Sequence, residues 1–470
     1  MTDLLDLSAS QLLDAYARRK ASPREMMDRL IRRVEAVEPM IGALYAFDPD
    51  GARAEARAST ERWARGRPRG PLDGVPVTLK ELIATKGVAV PMGSRATELT
   101  PAPCDSPVAA RLREAGAIIF AKTTCPDYGM LSSGLSSFHP LTRNPWNPAC
   151  NPGGSSAGAA AAAAAGYGPL HVGTDIGGSV RLPAGWNGLV GVKPSLGRIP
   201  IDPYYVGRCA GPMTRTVRDA ALLMIAIARP DPRDAMSLPP QDIDWADLKT
   251  DISGLKIGLM MDAGCGIEAE NEVKAAVQNA ARFFAQAGAV LVDVPPVLTG
   301  AMLDGLDVYW RARFWGMIRA LDEDKRALIL PYIRDWAQAA ETIDGVSAIA
   351  GFDQTIAIRA ACAALFQRVD VVISPVNPLT SYPAEWASPT NDPARPFEHI
   401  AFTLPWNMSE QPALSIHCGF SSGGIPIGMQ IVTRRFADQQ LLQLARSFEA
   451  VHGPIRNGPG QKLEDQARRQ

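Results

Sequence analysis

The feature that most constrains this chain is an alanine-rich run with a glycine–serine turn at each end. Residues 151–185 read NPGGSSAGAAAAAAAGYGPLHVGTDIGGSVRLPAG. Alanine has the highest helix propensity and a minimal side chain, so residues 157–165 predict a short helix that lets neighbouring backbone approach closely. We therefore expect a largely buried helix whose N-terminus lies near the Ser179 hydroxyl, so that the two turns meet.

The turns themselves are residues 153–156 and 177–179. Glycine runs adopt backbone angles closed to other residues, and they leave N–H groups bare enough to bind an anion. A single turn of this kind usually serves as a tight connection in which the serine caps a helix. Two of them flanking one helix favour a functional site.

Three kinds of site fit such turns. A phosphate cradle would use the helix N-terminus after Gly153, but the sequence has neither the P-loop lysine nor a GxGxxG following a strand. Residues 154–158 match the G-x-S-x-G elbow of α/β-hydrolases, yet the elbow requires a preceding strand, which the proline-containing residues 147–152 cannot form. The third interpretation is a serine nucleophile, Ser179, with successive N–H groups of residues 173–179 forming an oxyanion hole and a lysine as base.

Hydrophobic periodicity divides the chain into alternating strands and helices. Such alternation predicts an α/β fold with a large mixed β-sheet core covered by α-helices on both faces. The predicted strands are 75–80, 117–121, 256–261, 290–294, 369–374, 414–418 and 428–433, and the predicted helices are 23–37, 107–115, 270–287 and 438–450.

The composition is that of a globular protein. The 470 residues are 46% hydrophobic and 21% charged, enough to bury a large core. An α/β enzyme of this length can form one continuous body, so we predict a single domain over residues 1–470. The polar, proline-rich residues 230–250 are the best candidate for a connector, and the chain is expected to be frayed from about Asn457.

Several classes of function are disfavoured. The net charge is −1, without a basic stripe, so direct nucleic-acid binding is not expected. We see neither a signal peptide nor an apolar run long enough to span a membrane. The seven cysteines contain no CxxC pair, which predicts reduced thiols in the cytoplasm, and the five isolated histidines predict no metal site. We expect no cofactor.

The motifs GGSSAG at residues 153–158 and GTDIGGSVR at residues 173–181, joined by the alanine run, resemble the amidase signature family. The resemblance covers essentially the whole chain, with the signature core at about 70–220 and a more variable region at about 230–400. Further segments that resemble the family's framework are residues 74–80, 142–146, 191–194, 211–219 and 424–430.

The resemblance implies a Ser–cis-Ser–Lys triad. Ser179 matches the nucleophile, Ser155 the bridging serine that follows a cis peptide, and Lys80 the base. Ala157 departs from the glycine or serine usual there, but the change removes no reacting atom. The N–H groups implied for the oxyanion hole are those of Ile176, Gly177, Gly178 and Ser179.

The chemistry implied is acyl transfer. Lysine at its usual pKa of about 10.4 is a poor base near neutrality, but burial lowers that pKa. Neutral Lys80 would take a proton through Ser155 from Ser179, which would form an acyl-enzyme that water then hydrolyses. We expect the backbone of Gly129 and Met130 to contact the substrate. Structural support is expected from a pair formed by Asp175 and Arg181.

We therefore predict a stand-alone amidase that hydrolyses a small carboxylic amide to the acid and ammonia or an amine. An alternative is the glutaminase-type A subunit of a tRNA-dependent amidotransferase, although residues 129–139 do not look like that subunit's version. A catalytically inactive binding protein is a third interpretation. The sequence is compatible with a homodimer. Other conspicuous side chains are predicted to be framework or core: Lys122, Lys193, His171, His417, Tyr309, Trp310, Phe314 and Trp315.

Overall fold

The computed structural model describes residues 3–455 and 458–469 and is built around an eleven-stranded sheet. The strands are β1 Leu44–Tyr45, β2 Pro76–Lys80, β3 Ile118–Thr123, β4 Leu170–Asp175, β5 Val190–Lys193, β6 Cys209–Thr214, β7 Lys256–Leu259, β8 Val290–Asp293, β9 Val371–Pro375, β10 Ala413–Phe420 and β11 Pro426–Thr433.

Fifteen α-helices are found in the described residues. They are α1 Ala9–Ala17, α2 Pro23–Ile41, α3 Pro49–Ala64, α4 Pro107–Glu114, α5 Ala157–Ala164, α6 Arg181–Asn187, α7 Val217–Ile227, α8 Asn271–Gln286, α9 Gly300–Ile318, α10 Glu323–Ala327, α11 Pro331–Gln338, α12 Gly345–Leu365, α13 Pro405–Met408, α14 Asp438–His452 and α15 Gly460–Ala467. Short 3-10 helices lie at Leu4–Asp6, Asp127–Gly129 and Glu398–Ile400.

The sheet is mixed, which confirms the predicted α/β class. Its order is β1-β3-β2-β4-β6-β5-β10-β11-β9-β7-β8. Strand β2 runs parallel to β3 and β4, and β7 runs parallel to β8 and β9, whereas the central pairings are antiparallel. Because β2 and β4 are parallel neighbours, their last residues, Lys80 and Asp175, lie at the same edge of the sheet.

Hydrophobic clusters cover both faces of this sheet. Along β9, Val371 and Ile373 belong to one cluster, while Val372 between them belongs to another. Successive side chains of a strand point to opposite faces, so the two clusters lie on opposite sides. The central strands β2, β4 and β11 are buried along their whole length, as expected of a sheet covered on both faces.

The alanine run forms the predicted helix. All eight residues of α5 are buried, and the helix packs against α6 and strands β2, β3, β4 and β6. A Cβ atom on Gly158 would lie 2.3 Å from the Ala43 carbonyl oxygen and 2.4 Å from the Thr124 nitrogen. The small side chains of α5 therefore allow the backbone of neighbouring segments to lie directly against the helix.

Periodicity missed part of the sheet. Each strand predicted from the sequence exists with shifted ends. The two-residue β1 is not among them, and neither are β4, β5 and β6 in the signature region. These three strands contain Gly173, Gly191, Gly211 and Pro212, residue types that are depleted in strands and weaken the sequence pattern.

The expectation of a frayed C-terminus is wrong for most of that segment. Asn457 lies outside the described residues, but α15 packs on α2 and buries Leu463. Glu464 of α15 is also buried and forms ion pairs with Arg29 and Arg33 of α2. One buried ion pair, one partly buried ion pair and an apolar side chain hold this helix against the body.

The sequence analysis expected no apolar run long enough to span a membrane, and helix α12 is an exception. By length and composition alone, it is long and apolar enough to cross a membrane, and 28% of its most apolar window is buried.

Candidate active site

Lys80 is completely buried at the end of β2. Its Nζ atom donates hydrogen bonds to Ser155 Oγ at 2.8 Å and to Thr174 Oγ1 at 3.0 Å. Burial lowers the pKa of Lys80 to about 8, because the charged amine is poorly solvated there. A large fraction of Lys80 is thus neutral, and basic, at mildly alkaline pH.

Ser155 belongs to the first turn, and the Gly154–Ser155 peptide bond is cis, as the resemblance implied. The next residue, Ser156, ties this turn to the end of β4: its hydroxyl donates to the Thr174 carbonyl oxygen and accepts from the Thr174 N–H, both at 3.2 Å. The Ser156 N–H donates to the Ser179 carbonyl oxygen, also at 3.2 Å. The two turns therefore meet, as the alanine helix predicted.

The hydroxyl groups of Ser155 and Ser179 are not hydrogen-bonded to each other in the described residues. Of the two contacts that the expected proton relay through Ser155 requires, the structure shows the one to Lys80 and not the one to Ser179. Ser155 is held by the Lys80 amine, whereas Ser179 is half-buried on a separately braced turn. Catalytic hydrogen bonds are often looser without substrate and tighten in the complex.

The second turn is braced by a buried ion pair. Arg181 donates from Nη2 to Asp175 Oδ1 at 2.9 Å and from Nε to Oδ2 at 3.0 Å, and neither side chain is exposed. Asp175 also accepts the N–H groups of Gly178 at 2.8 Å and Val180 at 3.1 Å. Burial alone would raise the pKa of Asp175, but Arg181 and Asn407 hold it far below its usual value.

Arg181 extends this brace to distant segments. Its guanidinium group donates to the Thr403 carbonyl oxygen at 2.9 Å, to Gln430 Oε1 at 2.7 Å and to Asn407 Oδ1 at 2.5 Å. Sequence reasoning missed Thr403 and Asn407, which lie beyond the variable region. Gln430 ends one of the framework segments and could have been singled out as a buried polar residue in a strand.

One expected oxyanion-hole donor is unavailable. The Gly178 N–H donates to Asp175, so the expectation for this residue is wrong in this structure. In the part of the chain that the structure describes, the N–H groups of Ile176, Gly177 and Ser179 make no hydrogen bond. Of the four expected donors, these three can be offered to an oxyanion.

Gly129 lies beside Ser155, since a Cβ atom added to it would be 3.5 Å from Ser155 Oγ. Its φ of 70° is in the left-handed region that favours glycine. The N–H groups of Gly129 and Met130 donate to the Pro126 and Asp127 carbonyl oxygens. A substrate contact by these two residues is therefore limited to their carbonyl oxygens and the Met130 side chain.

A row of contacting aromatic rings runs from the segment that contains Gly129 into the core. The Tyr128 ring lies 5.0 Å from Phe314, which lies 5.8 Å from Trp336, and Phe397 continues the chain at 5.7 Å. Trp310, 5.0 Å from Phe397, is buried like Phe314. Of the four aromatic residues predicted as core, Trp310 and Phe314 are thus buried, whereas Tyr309 and Trp315 are half-buried. The Tyr128 end of the row is next to Gly129.

The remaining conspicuous side chains have other partners. Lys122 donates to Thr85 and the Ile83 carbonyl, Lys193 donates to the Pro194 carbonyl, and His171 contacts Thr78. Among residues 3–455 and 458–469, no cluster of three or more His, Cys, Asp or Glu side chains could hold a metal ion.

The buried ion pair between Arg181 and Asp175 predicts how a substitution should change the stability of the protein. Arg181→Met leaves the Asp175 carboxylate buried without its partner, so the free energy of unfolding should fall by about 3–5 kcal/mol. The control is Arg65→Met, which removes an exposed pair with Glu61 and should change stability little. Urea unfolding measures both, and an equal effect of the two substitutions would contradict the brace.

The family of this chain follows from its match to known proteins. The family model described as Amidase matches residues 25–442. The A subunit of the glutamyl-tRNA(Gln) amidotransferase of Chloroflexus aurantiacus is 34% identical, over 96% of this chain and 98% of that protein. Its counterpart in Myxococcus xanthus is 35% identical, over 96% and 98%.

Solved structures agree with this assignment. A bacterial aryl acylamidase of the amidase signature family matches with a TM-score of 0.87 and 28% identity, covering 98% of both chains. A 6-aminohexanoate cyclic dimer hydrolase with bound substrate matches with a TM-score of 0.87 and 26% identity, over 98% of this chain and 100% of that one. The amidotransferase A subunit from Thermotoga maritima has a TM-score of 0.77 and 25% identity, over 98% and 97%. The chain therefore belongs to the amidase signature family and is an amide-hydrolysing enzyme.

Proposed function

We propose that this chain hydrolyses a small carboxylic amide to the acid and ammonia or an amine through an acyl-enzyme on Ser179. Ser155 relays protons and Lys80 is the base. The observation that carries the proposal is the 2.8 Å hydrogen bond between Lys80 Nζ and Ser155 Oγ at a fully buried site. A buried lysine with a lowered pKa suits a general base.

The reaction begins when substrate binding brings the Ser179 hydroxyl to Ser155. Ser179 gives its proton to Ser155 as it attacks the amide carbonyl, and the Ser155 proton moves to neutral Lys80. The N–H groups of Ile176, Gly177 and Ser179 stabilise the oxyanion. Protonated Lys80 returns the proton through Ser155 to the leaving nitrogen, and water hydrolyses the ester by the same relay.

A second candidate is the glutaminase-type A subunit of a tRNA-dependent amidotransferase. Sequence similarity supports it better than the first candidate, since the relatives that carry that name are 34–35% identical, whereas the acylamidase and the cyclic dimer hydrolase are 28% and 26% identical. The first candidate is supported by the structural similarity, since the TM-score is 0.87 to an acylamidase and a cyclic-amide hydrolase but 0.77 to the Thermotoga amidotransferase protein. Both candidates use the same site and differ in substrate and protein partner.

Ser179→Ala should abolish covalent labelling by a fluorophosphonate probe and abolish amide hydrolysis, because the nucleophilic oxygen is gone. Mass spectrometry of the labelled peptide measures the labelling, and circular dichroism checks that the variant is folded. Ser422→Ala, at an exposed serine, should label like the wild type. Labelling that survives in Ser179→Ala would contradict the assignment of the nucleophile.

Lys80→Ala should lower kcat/KM by about 10²–10⁴-fold, the usual contribution of a general base. Lys80→Arg should not restore it, since arginine keeps its proton. In the wild type, activity should rise with pH through a midpoint near 8 and level off above it, because the base must be deprotonated and burial lowers the pKa of Lys80 to about 8. Near-wild-type turnover in either variant would show that Lys80 is structural.

The two candidates are separated by purifying the tagged full chain from its own cells and assaying it alone. A stand-alone amidase should purify without a stoichiometric partner and turn over members of a panel of aliphatic, aryl and peptide amides. A component of an amidotransferase should co-purify with a second protein and release ammonia from glutamine. Co-purification with a second protein and release of ammonia from glutamine would contradict the first candidate and support the second.

A further inference from the structure

A cavity outside the active site lies under the proline-rich connector. Residues 228–255, between α7 and β7, contain neither helix nor strand. Part of this segment covers a cavity of about 220 Å³, which we call the connector cavity. Its lining consists of Arg198, residues 228–230 at the end of α7, and connector residues within 238–245.

The connector cavity is lined by a buried guanidinium group that the protein leaves partly unsatisfied. The Arg198 side chain is 4% exposed, and its Nε atom donates to Asp438 Oδ2 at 3.2 Å. The Ser195 N–H donates to the other oxygen of the same carboxylate at 2.7 Å. In the described residues, neither Nη nitrogen of Arg198 makes a hydrogen bond, and Nη2 is fully buried. Buried donors without a partner cost free energy, so these nitrogens favour a ligand oxygen.

The charges around the connector cavity favour an anion. Two guanidinium groups, those of Arg198 and Arg229, line it, and the lining contains no carboxylate side chain from the described part of the chain. The carboxylates that balance these charges lie outside the lining: Asp438 for Arg198, and Glu114 at 3.5 Å from Arg229. A planar guanidinium group matches the geometry of a carboxylate, which it binds through charge-assisted hydrogen bonds.

The rest of the lining is apolar, apart from Gln241. It consists of Leu238, Ile243, the buried Trp245, Ala228 and prolines 230, 239 and 240. An apolar cavity of about 150 Å³ can hold benzene. The connector cavity therefore has room for one aromatic ring or a compact aliphatic group beside a carboxylate.

Hydrogen bonds on both sides hold the connector over the cavity. The Leu238 N–H donates to the Gly197 carbonyl oxygen at 3.0 Å. At the other end, Gln439 Nε2 on α14 donates to the carbonyl oxygens of Asp244 at 2.7 Å and Asp247 at 3.3 Å. A cavity whose walls are fixed in advance requires little further ordering when a ligand binds.

We propose that the connector cavity is a binding site for a small carboxylate with an apolar body. The carboxylate accepts hydrogen bonds from the Nη nitrogens of Arg198, and Arg229 adds positive charge at the exposed rim. The apolar body packs against Trp245 and Leu238. Within residues 3–455 and 458–469, no lining residue hydrogen-bonds a member of the proton relay, so the site is separate from the reacting groups and does not depend on the proposed reaction.

The probe for this site is benzoate, titrated into the full chain in a calorimeter. Benzoate should bind with a Kd of about 1 mM or tighter. Nitrobenzene has the same shape without the charge and is not an amide, so it cannot be hydrolysed. It should bind at least about tenfold more weakly, because a hydrogen bond to a charged group is replaced by one to a neutral group.

Three substitutions locate the bound benzoate. Arg198→Gln should weaken benzoate binding at least about tenfold, since the charged donors are lost. Leu238→Trp should abolish binding of both probes because the larger side chain fills the cavity. Arg229→Gln should weaken binding less than Arg198→Gln, since its charge is exposed. The matched control is Arg65→Gln, which also breaks an exposed ion pair, with Glu61, and should leave binding unchanged.

Absence of binding at millimolar benzoate overturns the inference. Equal binding in the wild type, Arg198→Gln and Leu238→Trp also overturns it, because the ligand then lies elsewhere. Should Arg198→Gln not fold, since Asp438 loses its cation, Leu238→Trp decides the question. None of these substitutions alters the relay, so fluorophosphonate labelling of Ser179 should stay at the wild-type level in every folded variant and tests the proposed function separately.

Discussion

The buried ion pair between Asp175 and Arg181 is the interaction on which the active site depends. One carboxylate receives the guanidinium group and the N–H groups of Gly178 and Val180. A single side chain thereby fixes the turn that contains Ser179. Because Arg181 also binds Thr403 and residues of α13 and β11, the last third of the chain stabilises a turn near residue 180.

Close backbone approach is the second constraint. The first turn, α5 and the end of β4 contact each other through groups that leave no room for larger side chains: Ser156 bridges to Thr174, and Gly158 lies against Thr124. Small residues give up dispersion contacts and conformational entropy but let polar backbone groups pair directly. The resulting burial of Lys80 is what lowers its pKa.

Sequence reasoning succeeded where local chemistry determines local structure. The alanine run predicted α5, and strands with an apolar pattern, such as β2 and β9, were found within a few residues of their ends. It failed at the glycine-containing strands β4 to β6, where pairing with neighbours overrides weak propensity. It failed also at α15, which is held by charge contacts to α2 and not by its own composition.

By itself the sequence determined the residue types of the site and their order: two glycine–serine turns, a helix short enough to join them, and a lysine at the end of an apolar strand. Tertiary structure alone decided which N–H groups remain free, because Asp175 takes that of Gly178 and, among the described residues, leaves those of Ile176, Gly177 and Ser179. It alone brought Glu81 and His139 together. Such contacts join residues distant in the chain, and hydrogen-bond competition between them has no signature in local sequence.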